Sequence, residues 1–264
     1  MQQIDINCDM GESFGAWSMG ADESVMPNIT SANIACGAHA GDPRVMRRTV
    51  RLAIEHDVGI GAHPGFADLQ GFGRRDIHAD PAEMEDVVLA QIGALAAIAR
   101  AEGAAVRHVK AHGALYTMAN RDRALAGAIA RAITSFDAAL VMFVLPKTAM
   151  EEAGRAAGLP IALEGFADRS YEPDGSLTPR SRHGAVIHDP DAVVQRGIRM
   201  VRDGIVLTVA GAEIPMTIDT ICVHGDTPGA PELTRRLRHG LESAGIRVAR
   251  PWQTANEPGR RREP

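Results

Sequence analysis

Strand-like apolar runs alternate with amphipathic helical patterns along most of this chain, and six of the runs end in polar clusters. The runs cover residues 2–9, 32–38, 58–63, 106–112, 140–145, 160–166 and 219–224. The polar ends read Asn7-Cys8-Asp9-Met10-Gly11-Glu12, Gly37-Ala38-His39, Gly61-Ala62-His63-Pro64-Gly65, Lys110-Ala111-His112-Gly113, Glu164-Gly165-Phe166-Ala167-Asp168-Arg169 and His224-Gly225-Asp226. Strands that alternate with helices form parallel βα units. Strand ends that converge on one mouth are how a β/α barrel assembles a site. The expected fold is therefore α/β, a TIM-barrel-like (β/α)7 variant. The strand count also fits an eight-stranded barrel, and a doubly wound open sheet is the structural alternative.

Local patterns support this reading. In residues 2–9, Ile4, Ile6 and Cys8 lie on one face and Asp5, Asn7 and Asp9 on the other, the period-two signature of a strand. The polar face is expected to point into the barrel and the apolar face toward helices. Asp42-Pro43, Asp80-Pro81 and Asp189-Pro190 each set an acceptor before a proline at a helix start. Met84, Val88, Ile92, Leu95 and Ala99 then recur at helical spacing. Further helices are expected near 121–135, 148–157, 190–203 and 229–245. Residues 206–217 read as a hairpin with an Ala210-Gly211 turn, and 64–79 and 167–185 as long ligand-type loops.

One barrel typically takes about 250 residues, so 264 residues without a linker-like stretch predict a single domain over 1–250 and a flexible tail over 251–264. The net charge of -5 argues against a general nucleic-acid binder. No apolar run approaches the ~20 residues of a spanning helix, and the N-terminus lacks the pattern of a secretory signal. Cys8, Cys36 and Cys222 lack CxxC spacing and read as reduced core residues of a cytoplasmic protein.

Alternation places His108, Lys110 and His112 on one strand face, Glu164, Phe166 and Asp168 on another, and Cys222, His224 and Asp226 on a third. Burying so many ionisable groups is costly unless they pair or do chemistry. His39, His63 and His112 end strands in Gly-rich surroundings and are candidate site residues. Asp9, His39 and His63 together suit a divalent metal, though from separate strands and without helical HExxH spacing. Arg74, Arg75, Arg169 and Arg180 suit anionic groups. His108 and Asp5 read as hydrogen-bonded core residues. His56, His78, His183 and His239 are expected on exposed helices or loops and are assigned no role, and His188, just before a helix cap, reads as structural.

Several segments resemble the LamB/YcsF family, the A subunits of 5-oxoprolinase. They are Asp5–Gly15, Ala32–Pro43, Gly61–Gly65, Asp68–Arg75, Val109–Tyr116, Glu164–Arg169 and Cys222–Asp226, in the family's order. The resemblance implies a β/α barrel similar to the glycoside hydrolase/deacetylase superfamily. It also implies ATP-dependent opening of 5-oxo-L-proline to L-glutamate, with ATP and its Mg2+ as co-substrate and the B and C subunits as partners.

On this reading Asp9, His39, His63, Lys110 and His112 are the expected catalytic residues. Asn7, Glu12, Glu164, Asp168, Arg169, His224 and Asp226 are the expected substrate-binding residues. Lys110 and Arg169 would hold carboxylate or phosphate charge, and Asp9 with His39 or His63 would activate water. His112 and His224 would supply protons to the leaving nitrogen. Two other functions fit the same residues: a metal-dependent amide hydrolase or deacetylase acting alone, and a non-catalytic 5-oxoproline-binding subunit.

Overall fold

Seven parallel strands close into a barrel in the computed structural model, which describes residues 2–225 and 229–252. They are β1 (Gln3–Met10), β2 (Ser31–Ala35), β3 (Gly59–His63), β4 (Val106–Val109), β5 (Val141–Val144), β6 (Ile161–Phe166) and β9 (Thr220–Val223). Consecutive strands pair in that order, and β1 pairs with β9 to close the ring through Asp5↔Thr220 and Asn7↔Cys222. The seven-stranded form of the expected fold is thus the one observed. β7 (Ile205–Leu207) and β8 (Glu213–Pro215) form the expected antiparallel hairpin outside the barrel. β10 (Arg247–Val248) adds to the start of β1.

Eight α-helices are described: α1 (Asp22–Val25), α2 (Pro43–Glu55), α3 (Pro81–Ala101), α4 (Gly113–Ala119), α5 (Arg123–Asp137), α6 (Ala149–Ala156), α7 (Pro190–Asp203) and α8 (Ala230–Ser243). Asp42, Asp80 and Asp189 cap α2, α3 and α7 by accepting from backbone N–H groups in the first turn, with proline at the first position. The helical pattern near 121–135 belongs to α5, and the short α4 before it lies outside the expected helices. α4 starts at a glycine with φ of 54° and no side-chain cap, so no start signal precedes it.

The apolar set of β1 (Ile4, Ile6, Cys8 and Met10) is buried in the main hydrophobic core, with Ile34, Ala62, Val109 and Ile221 from other strands. The polar set meets across the barrel interior. Asn7 Nδ2 donates to Glu164 Oε1 at 3.0 Å and to Thr220 Oγ1 at 2.8 Å. Cys8, Cys36 and Cys222 are buried free thiols. A second apolar cluster of Val141, Phe143 and Ala162 packs against Trp252. Among the described residues, no helix is long and apolar enough to cross a membrane.

Asp5 lies wholly buried inside the barrel, accepting from Thr30 Oγ1 (2.6 Å), Ser31 Oγ (2.7 Å) and Thr220 Oγ1 (2.5 Å). Burial pushes its carboxyl up to about 6, although the three hydroxyls favour the ionised form. A folded-state value above the unfolded 3.8 gives a stabilising contribution that is complete below 3.8 and lost as pH rises through about 6. The stability of the wild type relative to Asp5→Asn, whose amide does not titrate, should therefore fall by roughly 3 kcal/mol between pH 4 and 7. Urea denaturation of both proteins across that range measures it, and a flat difference would refute the assignment.

Candidate active site

The site forms where the strands leave the barrel. β4 ends at Val109, three residues before the expected boundary, but the chain stays extended. Lys110 N donates to Ala62 O and His112 N to Pro64 O, so His108, Lys110 and His112 keep the shared face that the alternation predicts.

Lys110 is the centre of the arrangement. Its Nζ stands 3.0 Å from Asp9 Oδ1, 2.9 Å from Glu164 Oε1, 3.2 Å from Asn7 Oδ1 and 3.0 Å from Cys222 Sγ. Burial alone would lower the ammonium, but Asp9, the Cys222 sulfur and Glu164 hold it well above its ordinary value. Burial alone would likewise raise the Asp9 carboxyl, but His63 and Lys110 hold it well below the usual carboxylate range. The centre is therefore a buried cation set between two carboxylates.

Asn7 and Glu164 lie beneath Lys110 rather than at the cavity wall. Glu164 accepts from Lys110 and Asn7 through Oε1 and from the Tyr116 hydroxyl through Oε2 at 2.9 Å. Asn33 donates through Nδ2 to Asn7 Oδ1 (2.7 Å) and Asp9 Oδ1 (2.8 Å). His108 Nε2 donates to Asn33 Oδ1 at 2.8 Å, and its ring stacks on Phe143 at 4.3 Å. His108 is the core histidine its position implied, and burial pushes it down to about 3.

Asp9, His63, Lys110, His112, Phe166, Arg169 and His224 line a cavity of about 630 Å³ at this mouth. Arg74, Arg121 and Arg180 stand at its edge. On one wall, His224 Nδ1 donates to Asp168 Oδ2 at 2.7 Å, which leaves Nε2 for other chemistry. Burial would raise Asp168, but His224 and then Arg169 lower it. Arg169 donates through Nε to Ala185 O and through Nη2 to Thr178 O, fastening the 167–185 loop. Burial, then Arg180, brings its guanidinium down to about 10.

Glu12, His39, His63 and His112 gather beside Asp9, with candidate ligand atoms all within 4.8 Å of one another, an arrangement able to hold a metal ion. The His39 and His112 rings stack with centroids 3.7 Å apart. A Cβ at Gly65 would approach His39 to 2.8 Å, and one at Gly73 would approach His112 to 2.8 Å. The glycines of these loops thus let the backbone close over the imidazoles. Asp226 lies outside the described residues. Sequence reasoning missed Tyr116, Asn33 and the contact of Cys222 with Lys110. Tyr116 ends the Val109–Tyr116 segment, and Asn33 shares an alternating face with Ser31 in β2. His56, His78, His183, His188 and His239 are exposed.

A closed seven-stranded β/α barrel with a charged site at its strand ends is the class these features define. The chain belongs to the LamB/YcsF family, whose profile matches residues 4–256. It is 55% identical over 251 residues to the 5-oxoprolinase A subunit from Symbiobacterium thermophilum, covering 95% of this chain and 96% of that protein. It is also 55% identical to the one from Chloroflexus aggregans, covering 95% and 100%. The crystal structure of the lactam utilization protein from Thermus thermophilus superposes with a TM-score of 0.90 at 48% identity, covering 94% of this chain and 99% of that one. The catalytic domain of a peptidoglycan N-acetylglucosamine deacetylase from Eubacterium rectale shares the fold, with a TM-score of 0.50 at 10% identity over 97% and 90% of the chains.

Proposed function

We propose that this chain is the A subunit of a cytoplasmic ATP-dependent 5-oxoprolinase, opening 5-oxo-L-proline to L-glutamate together with B and C subunits. The Lys110 centre carries the reading. It sets a fixed positive charge, flanked by Asp9, at the floor of a cavity large enough for a small lactam beside phosphate. The relatives' names supply the substrate class.

A lactam amide is stable and its nitrogen leaves poorly. Transfer of the γ-phosphoryl group from ATP to the lactam oxygen releases ADP and makes the carbonyl carbon electrophilic. Water adds there, and the C–N bond breaks as the nitrogen takes a proton. A second water hydrolyses the resulting acyl phosphate to glutamate and phosphate. In this scheme Lys110 stabilises charge on the lactam oxygen. Asp9, with His63 beside it, positions the attacking water. His224, oriented by Asp168, supplies the proton. Arg74, Arg121 and Arg180 at the cavity edge attract the phosphate.

The expected result with all three subunits is 5-oxoproline-dependent release of glutamate and ADP in equal amounts, lost when this chain is omitted. If 5-oxoproline were inert in the complete mixture, the proposal would fail. Hydrolysis of acetylated substrates by this chain without ATP would instead support a deacetylase.

A further inference from the structure

The geometry points to a transition-metal site built by His39, His63 and His112 with the carboxylate of Glu12. The backbone fixes where two of the ring protons sit. His63 Nδ1 lies 2.8 Å from the carbonyl oxygen of Lys110, and His112 Nε2 lies 2.8 Å from that of Phe72. A carbonyl only accepts, so both of these nitrogens carry hydrogen. When both rings are neutral, they present lone pairs at His63 Nε2 and His112 Nδ1. Those two atoms face each other at 3.0 Å. Two lone pairs at that distance repel unless a proton or a metal ion lies between them, and a metal ion relieves the contact with both rings neutral. Fixing the tautomer through the far nitrogen is the arrangement that metal-binding histidines commonly show.

His39 is 1% exposed, yet neither of its ring nitrogens has a hydrogen-bond partner among the described residues. Buried polar groups are nearly always satisfied, and a metal would satisfy this one. Its Nε2 stands 3.7 Å from Glu12 Oε1, which is in turn 3.6 Å from His112 Nδ1. Ligands about 2.0–2.1 Å from a tetrahedral ion stand roughly 3.3 Å apart, so Glu12 and His112 need only small shifts, while the His39 ring must turn out of its parallel stack on His112 to aim a lone pair at the same ion.

The ligand set also selects the ion. Three imidazoles and one carboxylate suit Zn2+, Co2+ or a similar first-row ion, whereas Mg2+ and Ca2+ prefer oxygen shells. Asp9, Cys222 and His224 form another group with ligand-type spacing. There the Lys110 ammonium sits 3.0 Å from both Asp9 and Cys222, the place a competing cation would need. The metal site adjoins the cavity through His63 and His112, but it stands whether or not the 5-oxoprolinase reading does.

The test uses the full chain, stripped with a chelator and then incubated separately with Zn2+, Co2+ and Mg2+. After desalting, elemental analysis should find about one Zn2+ or Co2+ per chain and no retained Mg2+. Bound Co2+ should show the intense visible bands of a low-coordinate site. His39→Gln and His112→Gln should each weaken Zn2+ binding at least tenfold, while His183→Ala, on an exposed loop, should not change it. Folding of each variant is checked by circular dichroism. Wild-type protein that stays folded but retains no ion, or His39→Gln and His112→Gln that both bind undiminished, would overturn the site. Neither readout involves 5-oxoproline, so failure here is distinguishable from failure of the lactam reading.

Discussion

Lys110→Met is expected to cut 5-oxoproline turnover at least about a thousandfold, equivalent to roughly 4 kcal/mol of barrier. Methionine keeps the length and apolar stem of the side chain but removes the charge. The change strands Asp9 and Glu164, both within 3.0 Å of the ammonium, as buried carboxylates without their cation. Breaking a buried pair by removing one partner costs about 3–5 kcal/mol, so the variant should also unfold at much lower urea. The two losses have different origins. In Lys110→Met/Glu164→Gln one stranded charge is gone, and much of the stability should return. Turnover should not return, because the charge facing the lactam oxygen is still missing. Urea denaturation and a coupled ADP assay on the single and double variants measure both. Single-variant turnover within about threefold of wild type, or ~0.7 kcal/mol, would remove Lys110 from the mechanism.

The part of this site that was legible in the sequence is the part set by strand periodicity. Asn7 and Asp9 share a face in β1, and Lys110 and His112 share one after β4, because side chains alternate every residue. Alternation shows that a residue points inward, but not how deep it lies. Asn7 and Glu164, expected to bind substrate, contact the Lys110 ammonium and are not among the residues that line the cavity. Depth depends on strand register around the ring, where Glu164 pairs with Thr220 and Thr220 with Asp5. Register between strands so distant in the chain leaves no local mark. The carbonyls of Lys110 and Phe72, which set the imidazole tautomers, have no residue signature at all. The Asp-Pro caps were legible for the opposite reason, since acceptor, proline and helix are adjacent in sequence. Barrel closure at seven strands followed only from β1 pairing with β9.

Gly61→Ala is expected to be the most damaging single-methyl addition in the barrel. Gly61 sits in β3, between β2 and β4. The His108 ring from β4 leans across it to reach Asn33 on β2. A Cβ at residue 61 would come within 2.0 Å of His108 Nε2, far inside contact distance. The ring cannot yield sideways, because it stacks on Phe143 and faces Trp252 with centroids 5.6 Å apart. If it swings away, Asn33 Oδ1 loses its donor inside the barrel, at about 1–3 kcal/mol, on top of the ~1–3 kcal/mol typical of overpacking. Asn33 is also what orients Asp9 and Asn7, so the damage should spread to turnover. The expected loss is about 3–5 kcal/mol by urea denaturation, with turnover reduced even where the protein stays folded. Gly61→Ala/His108→Ala should recover about 2 kcal/mol relative to the sum of the single variants, because the two groups compete for one space. The same substitution at Gly93 in α3, where no atom lies within 4 Å of an added Cβ, should leave stability unchanged or raise it by up to ~1 kcal/mol. Equal effects at the two glycines would mean that His108 does not hold Asn33 across β3.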